Sequence, residues 1–251
     1  MKIDLDHIEI NAVSKIYLNQ QIPSLKDFTL KIPSNTKFGI LGPNGAGKTT
    51  LISIMCGLIE PTYGEVQFVK KDNSIVLGKE LKKSIGFVPQ EYAFYQELTP
   101  VQNLKYFGAL YGILKKDLAQ RIEDVLEILG LKSVAHKKIH TFSGGMKRRV
   151  NLAIGIIHRP SILFLDEPTV GVDVQSKFAI IQLLEKINLD KTTIIYTSHH
   201  LSEAQNFCDQ IAFIDKGQLV CSDDTQQLLN LHKSSNLEEL FLQLTGQQLR
   251  D

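Results

Sequence analysis

Apolar residues along this chain fall into two rhythms. Four short runs are apolar without alternation and stop at a polar or glycine-rich stretch: FGILG, SIGFVPQ, ILFLDE and TIIYTSHH. Runs buried on both faces and separated by helical segments are the pattern of parallel strands in an α/β sheet. Their chemically informative residues all lie at the carboxyl ends, where open α/β sheets bind ligands. The first 33 residues and the stretch from Gly64 to Leu77 alternate more loosely and suit an antiparallel patch.

The other rhythm is helical. After Lys48, the residues Leu51, Ile54, Met55 and Leu58 recur on one face, with Pro61 just beyond. Thr99, Pro100 and Gln102 form a capping box, followed by Val101, Leu104, Gly108 and Tyr111 on one face. A third helix runs from about Asp117 to a stop at Gly130, with Leu118, Ile122, Val125 and Leu129 as its stripe. These segments predict a mostly helical insertion over about 90–160, between two core strands. Residues 1–225 then form one domain and 226–251 a short helical tail, in which Ser235 and Glu238 read as a capping box before Leu237, Leu240, Phe241 and Leu244. A helix packing on its own domain is the simpler reading of that stripe, and a dimer or partner contact the alternative.

Composition narrows the function. The chain has 251 residues, 43% hydrophobic and 22% charged, with a formal net charge of +1. That balance gives no electrostatic footprint for a nucleic-acid backbone, whose binding depends on many neutralised phosphates. Three widely spaced cysteines, Cys56, Cys208 and Cys221, offer neither a disulfide framework nor a CxxC metal site and suit a reducing compartment. The first residues alternate polar and apolar, unlike a signal peptide, and no run approaches the roughly 20 apolar residues that span a bilayer. A cytosolic protein, or one held at a membrane through a partner, is expected.

Chemistry concentrates in two glycine-rich stretches. Gly42, Pro43, Asn44, Gly45, Ala46, Gly47, Lys48 and Thr49, followed by Thr50, fit GxxxxGK[ST] between a strand and a helix. Such a loop turns backbone N–H groups around a phosphate at a helix N-terminus, with Lys48 reaching the β and γ oxygens and Thr49 offering a Mg²⁺ ligand. ILFLDE delivers Asp166 and Glu167 to the same sheet edge, the first to hold Mg²⁺ and the second to orient or deprotonate an attacking water. Gln90 and His199 end two further strands there. The glutamine carbonyl suits Mg²⁺ and the imidazole suits the γ-phosphate. A zinc reading of His199, His200 and Glu203 lacks support, since His7, His136, His140, His158 and His232 show no complementary spacing. Glu203 reads instead as an acid in a first helical turn.

The second stretch, TFSGGMKRR, places Ser143 where an N-cap belongs, ahead of an apolar stripe of Val150, Ala153, Ile154 and Ile157. Lys147, Arg148 and Arg149 read as a solvated or interface helix face.

With these residues in this order, the chain resembles the ATP-binding subunit of ABC transporters from about Ile8 onward. GPNGAGKTT looks like that family's Walker A, Gln90 its Q-loop glutamine, FSGGM its signature, ILFLDE its Walker B, Val170 to Asp173 its D-loop and His199 its switch histidine. The resemblance implies a P-loop NTPase fold with a RecA-like core, an antiparallel β subdomain and an inserted α-helical subdomain. It also implies ATP and Mg²⁺ as ligands, ATP hydrolysis coupled to transport, and a separate membrane-spanning permease holding the chain at the cytoplasmic face. In the implied head-to-tail homodimer, Ser143, Gly144 and Gly145 of one copy complete the ATP site of the other. Tyr17 stands where the family places an aromatic against adenine. FSGGMKRR, GVDVQSK and SNLEELFLQLTG are similar to the exporter class serving drug, lipid, polysaccharide or ion efflux. The competing class is a soluble ABC-type ATPase acting on nucleic acid or the ribosome. Those proteins usually carry tandem ATPase domains or long coiled-coil insertions, which this chain does not display. A regulatory subunit without turnover conflicts with intact Glu167 and His199.

Overall fold

A computed structural model describes residues 2–18 and 20–246. In chain order the elements are β1 (Leu5–Lys15), β2 (Leu25–Pro33), β3 (Lys37–Leu41), α1 (Lys48–Met55), β4 (Tyr63–Lys70), α2 (Gly78–Ser84) and β5 (Ile85–Val88). Then come α3 (Pro100–Leu110), α4 (Lys115–Ile128), α5 (Gly144–Ile156), β6 (Ile162–Asp166), α6 (Val174–Leu189) and β7 (Thr193–Ser198). The last are α7 (Leu201–Phe207), β8 (Gln210–Asp215), β9 (Gln218–Asp224), α8 (Thr225–His232) and α9 (Leu237–Thr245).

The central sheet has the order β5-β6-β7-β3-β8-β9. It is parallel except for the β8–β9 pair. Its strands are apolar throughout because both faces are covered, and alternate residues feed two separate cores. Leu163 and Leu165 of β6, Tyr196 of β7 and Phe213 of β8 face one core together with α5, α7 and α9. Ile162, Phe164, Ile195 and Ile214 face the other, against α1 and a three-stranded antiparallel sheet of order β2-β1-β4. In β1 the register shifts between Ile10 and Val13, and Ala12 there has φ 49°. This bulge lets Ile8, Ile10 and Val13 all point inward although 10 to 13 breaks the period of two.

α3, α4 and α5 form the helical insertion between β5 and β6. The capping box at Thr99 and Gln102 is present with Pro100 at the first helical position. Three details depart from the sequence pattern. α1 ends at Met55 with Cys56 as its C-cap, so Leu58 lies past the helix and is exposed. The cap of α9 is one residue later than expected: Asn236 accepts from the Glu239 N–H, while Ser235 donates to the Glu239 carboxylate. α2, β8 and β9 carried no expectation. α9 packs on its own domain, burying Leu237, Leu240 and Phe241, with the Phe241 ring 5.2 Å from that of Phe213.

Candidate functional site

The strand–loop–helix at β3 and α1 forms because FGIL is buried and Gly47 permits a sharp entry into the helix. Gly47 has φ 109°, and a Cβ there would sit 2.6 Å from the Ser24 carbonyl oxygen, so only glycine closes this turn. Lys48, 6% exposed, folds back over the loop and donates to the carbonyls of Gly42 at 2.8 Å and Pro43 at 3.1 Å. Burial holds its ammonium below the ordinary lysine range, and the Glu167 carboxylate 3.5 Å away opposes that shift.

Asp166 ends β6, and Glu167 follows with φ 50°. In a continuing strand these neighbours would point to opposite faces. The left-handed turn at Glu167, which costs a non-glycine residue ~1 kcal/mol, breaks that alternation at the sheet edge. Thr197 on β7 stitches both acids in place: its hydroxyl donates to Asp166 Oδ1 at 2.7 Å and accepts from the Glu167 N–H at 3.0 Å. Glu167 Oε1 meets His199 Nδ1 at 3.0 Å, and its Oε2 lies 3.5 Å from the Gln90 amide nitrogen. Lys48, Gln90, Asp166, Glu167 and His199 thus converge on one edge from four different segments. A cavity of about 340 Å³ opens there, lined by Ser24, Asn44, Gly45, Gly47, Lys48, Thr49, Thr50, Gln90 and Glu167. Two larger clefts, about 860 and 580 Å³, lie between the helical insertion and the core. Neither is lined by any of these residues, so size does not identify the site.

Tyr17 follows β1 in a loop rather than sitting in a strand. Its hydroxyl is 3.3 Å from Thr50 Oγ1, the residue is 37% exposed, and the Lys15 ammonium lies 5.4 Å from the ring centre. Ser143 caps α5 by accepting from the Met146 N–H. Among the described residues lining the 340 Å³ cavity, Ser143, Gly144 and Gly145 do not occur.

Arg148 contradicts its sequence reading. It is buried at 6% exposure, donates to the backbone carbonyls of Gln90 at 2.7 Å and Pro89 at 3.3 Å, and lies 5.4 Å over the Tyr92 ring. Asn151, one turn further along α5, donates to Pro89 O and Glu91 O and accepts from the Ala93 N–H. The loop carrying Gln90 is thus bound to α5 on both sides. Arg149 donates to the Leu129 carbonyl at 2.8 Å, and Lys147 reaches Gln96 Oε1 at 3.3 Å. Glu203 does lie in the first turn of α7, but its carboxylate is taken by Thr169, Tyr196 and Lys177. Thr197, Asn151 and Tyr196 were not singled out from sequence. The polar Thr197 inside the apolar TIIYTS run was the one available signal for its role.

The oxygen donors of Thr49, Gln90 and Asp166 fit a hard cation such as Mg²⁺. Among the described residues no group of three or more His, Cys, Asp or Glu is placed to hold a metal. A cation here would need oxygens from a phosphate ligand, which is how Mg²⁺ is commonly bound.

Residues 25–170 match the ABC transporter family model. The chain is 41% identical over 216 residues to the linearmycin resistance ATP-binding protein LnrL of Bacillus subtilis, covering 85% of this chain and 68% of that protein. It is 32% identical over 222 residues to the ABC transporter ATP-binding protein NatA of the same organism, covering 88% and 90%. Among solved structures, it superposes on the bacterial ABC transporter cassette MJ0796, solved as a dimer, with a TM-score of 0.76 at 27% identity, covering 87% of this chain and 98% of that one. The same cassette, as a dimer in a post-hydrolysis state bound to ADP and Pi, fits equally well. The fold, the order of motifs and these relatives agree: the chain belongs to the ATP-binding ATPase subunits of the ABC transporter family.

Proposed function

We propose that this chain hydrolyses ATP to drive a separate membrane-spanning permease in export, and that it does so as a head-to-tail pair of copies at the cytoplasmic face. The observation that carries this reading is that one glycine cradle lines the phosphate cavity with Lys48 and Glu167, whereas Ser143, Gly144 and Gly145 are not among the residues lining it. In the paired form, Ser143, Gly144 and Gly145 of one copy close over ATP held by the other. The N-terminus of α5 contributes a dipole worth about 0.3–1 kcal/mol, so direct hydrogen bonds supply most of the preference for the γ-phosphate.

Each residue has a task in that site. Lys48 exchanges the carbonyls of Gly42 and Pro43 for the β and γ oxygens of ATP. Tyr17, carried beside Thr50, packs against the adenine face. Thr49, Gln90 and Asp166 hold Mg²⁺, which when bound neutralises charge developing on the phosphate oxygens. Glu167 orients a water and accepts its proton as the water oxygen bonds to the γ-phosphorus. The bond from that phosphorus to the β-bridging oxygen breaks, leaving ADP and phosphate. His199, already paired with Glu167, fixes the carboxylate and donates toward the γ-phosphate.

Because the closed pair holds ATP more tightly than the open form, ATP binding favours closure and hydrolysis permits reopening. Arg148 and Asn151 tie the Gln90 loop to the helical insertion, so a permease docked on that insertion follows the motion. Export is favoured by the resistance function in the name of LnrL. The test is Ser143→Arg: nucleotide binding to the isolated copy is expected to persist while hydrolysis stops. Loss of binding in the single copy would refute a shared site.

A further inference from the structure

Beyond the phosphate cavity lies a buried polar node that none of the family motifs includes. Glu203 Oε1 accepts from Thr169 Oγ1 at 2.5 Å and from the Tyr196 hydroxyl, and those two hydroxyls are themselves 3.0 Å apart. Glu203 Oε2 pairs with Lys177 Nζ at 2.6 Å. Tyr196 is fully buried and Thr169 is 3% exposed. Burial would raise the Glu203 carboxyl, but the Lys177, Thr169 and Tyr196 donors outweigh it and hold it below its ordinary value. Burial, reinforced by the Glu203 carboxylate, pushes Tyr196 well above the usual phenol range, so it remains a donor.

The members of this node sit next to the hydrolytic residues in sequence. Thr169 is two residues after Glu167, Tyr196 is three before His199, and Glu203 is four after it. Lys177 stands in the first turns of α6, which Asp173 caps. Strands β6 and β7 pair Leu165 with Tyr196, so their backbones are in register just before the two active segments diverge. Past that point the ladder ends with Asp166 paired to Thr197. Glu167 and His199 then depend on side chains for their relative placement.

We infer that Glu203 is a positioning residue for hydrolysis: by clamping Thr169 to Tyr196 and Lys177, it sets the distance between Glu167 and His199. This rests on the hydrolytic reading of those two residues. An error near 1 Å in such a placement costs up to about a hundredfold in rate, whereas ATP, held by the loop from Gly42 to Thr50, is bound without it.

The test compares steady-state ATP hydrolysis by the full chain for Tyr196→Phe, Thr169→Val, Glu203→Ala and Glu167→Gln, with folding checked by circular dichroism. Tyr196→Phe keeps the ring and removes one hydroxyl, so it carries the test if Glu203→Ala does not fold. We expect Tyr196→Phe and Thr169→Val each to lower kcat about tenfold or more with KM for ATP within about twofold. Combining either with Glu203→Ala should add little, because the three groups act as one unit. Folded Tyr196→Phe and Thr169→Val variants with wild-type kcat, beside an inactive Glu167→Gln, would overturn the positioning role alone. Wild-type turnover in Glu167→Gln would overturn the hydrolytic reading on which it rests.

Discussion

Replacing Arg148 with methionine removes one of the side-chain ties between α5 and the loop that carries Gln90, leaving that of Asn151 in place. The guanidinium makes one short bond, to Gln90 O at 2.7 Å, and a longer one to Pro89 O, a carbonyl that Asn151 also serves. Only the first leaves an acceptor without a donor when lost, which costs about 2 kcal/mol for a charge-assisted bond. The Tyr92 face adds about 0.5–1 kcal/mol. Against this, Arg148 Nε is buried without a hydrogen-bond partner, and methionine relieves that desolvation, by about 1 kcal/mol. The net expectation is a loss of about 2 kcal/mol. Lys147→Ala is the control, since its 3.3 Å contact to Gln96 is exposed and such changes stay within about 0.5 kcal/mol. The chain has no tryptophan, so urea unfolding is followed by circular dichroism. Equal midpoints for Arg148→Met and Lys147→Ala would refute the account of Arg148 as a buried tie.

Two further outcomes are expected. His158 donates from Nε2 to Ile85 O at 2.9 Å, stacks on Tyr111 at 3.7 Å, and leaves Nδ1 buried without a partner; burial pushes it down to about 4 from 6.5. Between those values the unfolded chain binds the extra proton, so stability is full above pH 6.5 and falls with acidification, by about 2 kcal/mol at pH 5. A His158→Phe variant whose urea midpoint falls as steeply as wild type between pH 7 and 5 would rule this out. At Gly145, a Cβ would lie 2.4 Å from Ser176 Oγ and 2.7 Å from Oδ2 of Asp173, which caps α6 by accepting from the Ser176 N–H. Gly145→Ala should therefore lower stability by about 1–2 kcal/mol, read as a drop in Tm; an unchanged Tm would show that the cap yields freely.

What the sequence revealed follows from the range of each interaction. The loop from Gly42 to Thr49 was legible because its backbone geometry, lysine and helix start are all contiguous. Asp166, Glu167, Gln90 and His199 were legible as strand ends, since a parallel sheet delivers all such ends to one edge. Arg148 was misread because three successive basic residues look solvated; the carbonyls that bury it come from Pro89 and Gln90, 59 and 58 residues away. Glu203 was placed correctly in a first turn, yet its partners come from β7, α6 and the loop after Glu167, which no local pattern displays. β8 went unnoticed although IAFID is as apolar as FGIL, because no chemical residue at its end drew attention to it. At α9 the run Ser234-Ser235-Asn236 offers several cap residues, and the asparagine takes the role because Glu239, rather than Glu238, faces back toward Ser235.

In the proposed function two copies of this chain share each ATP site, and Glu167 ends the shared state by hydrolysis. Sedimentation velocity of Glu167→Gln with saturating ATP tests it directly. The expected result is a stable dimer with ATP, a monomer with ADP, and a monomer under both conditions once Ser143→Arg is added. A Glu167→Gln protein that binds ATP and remains monomeric would contradict it.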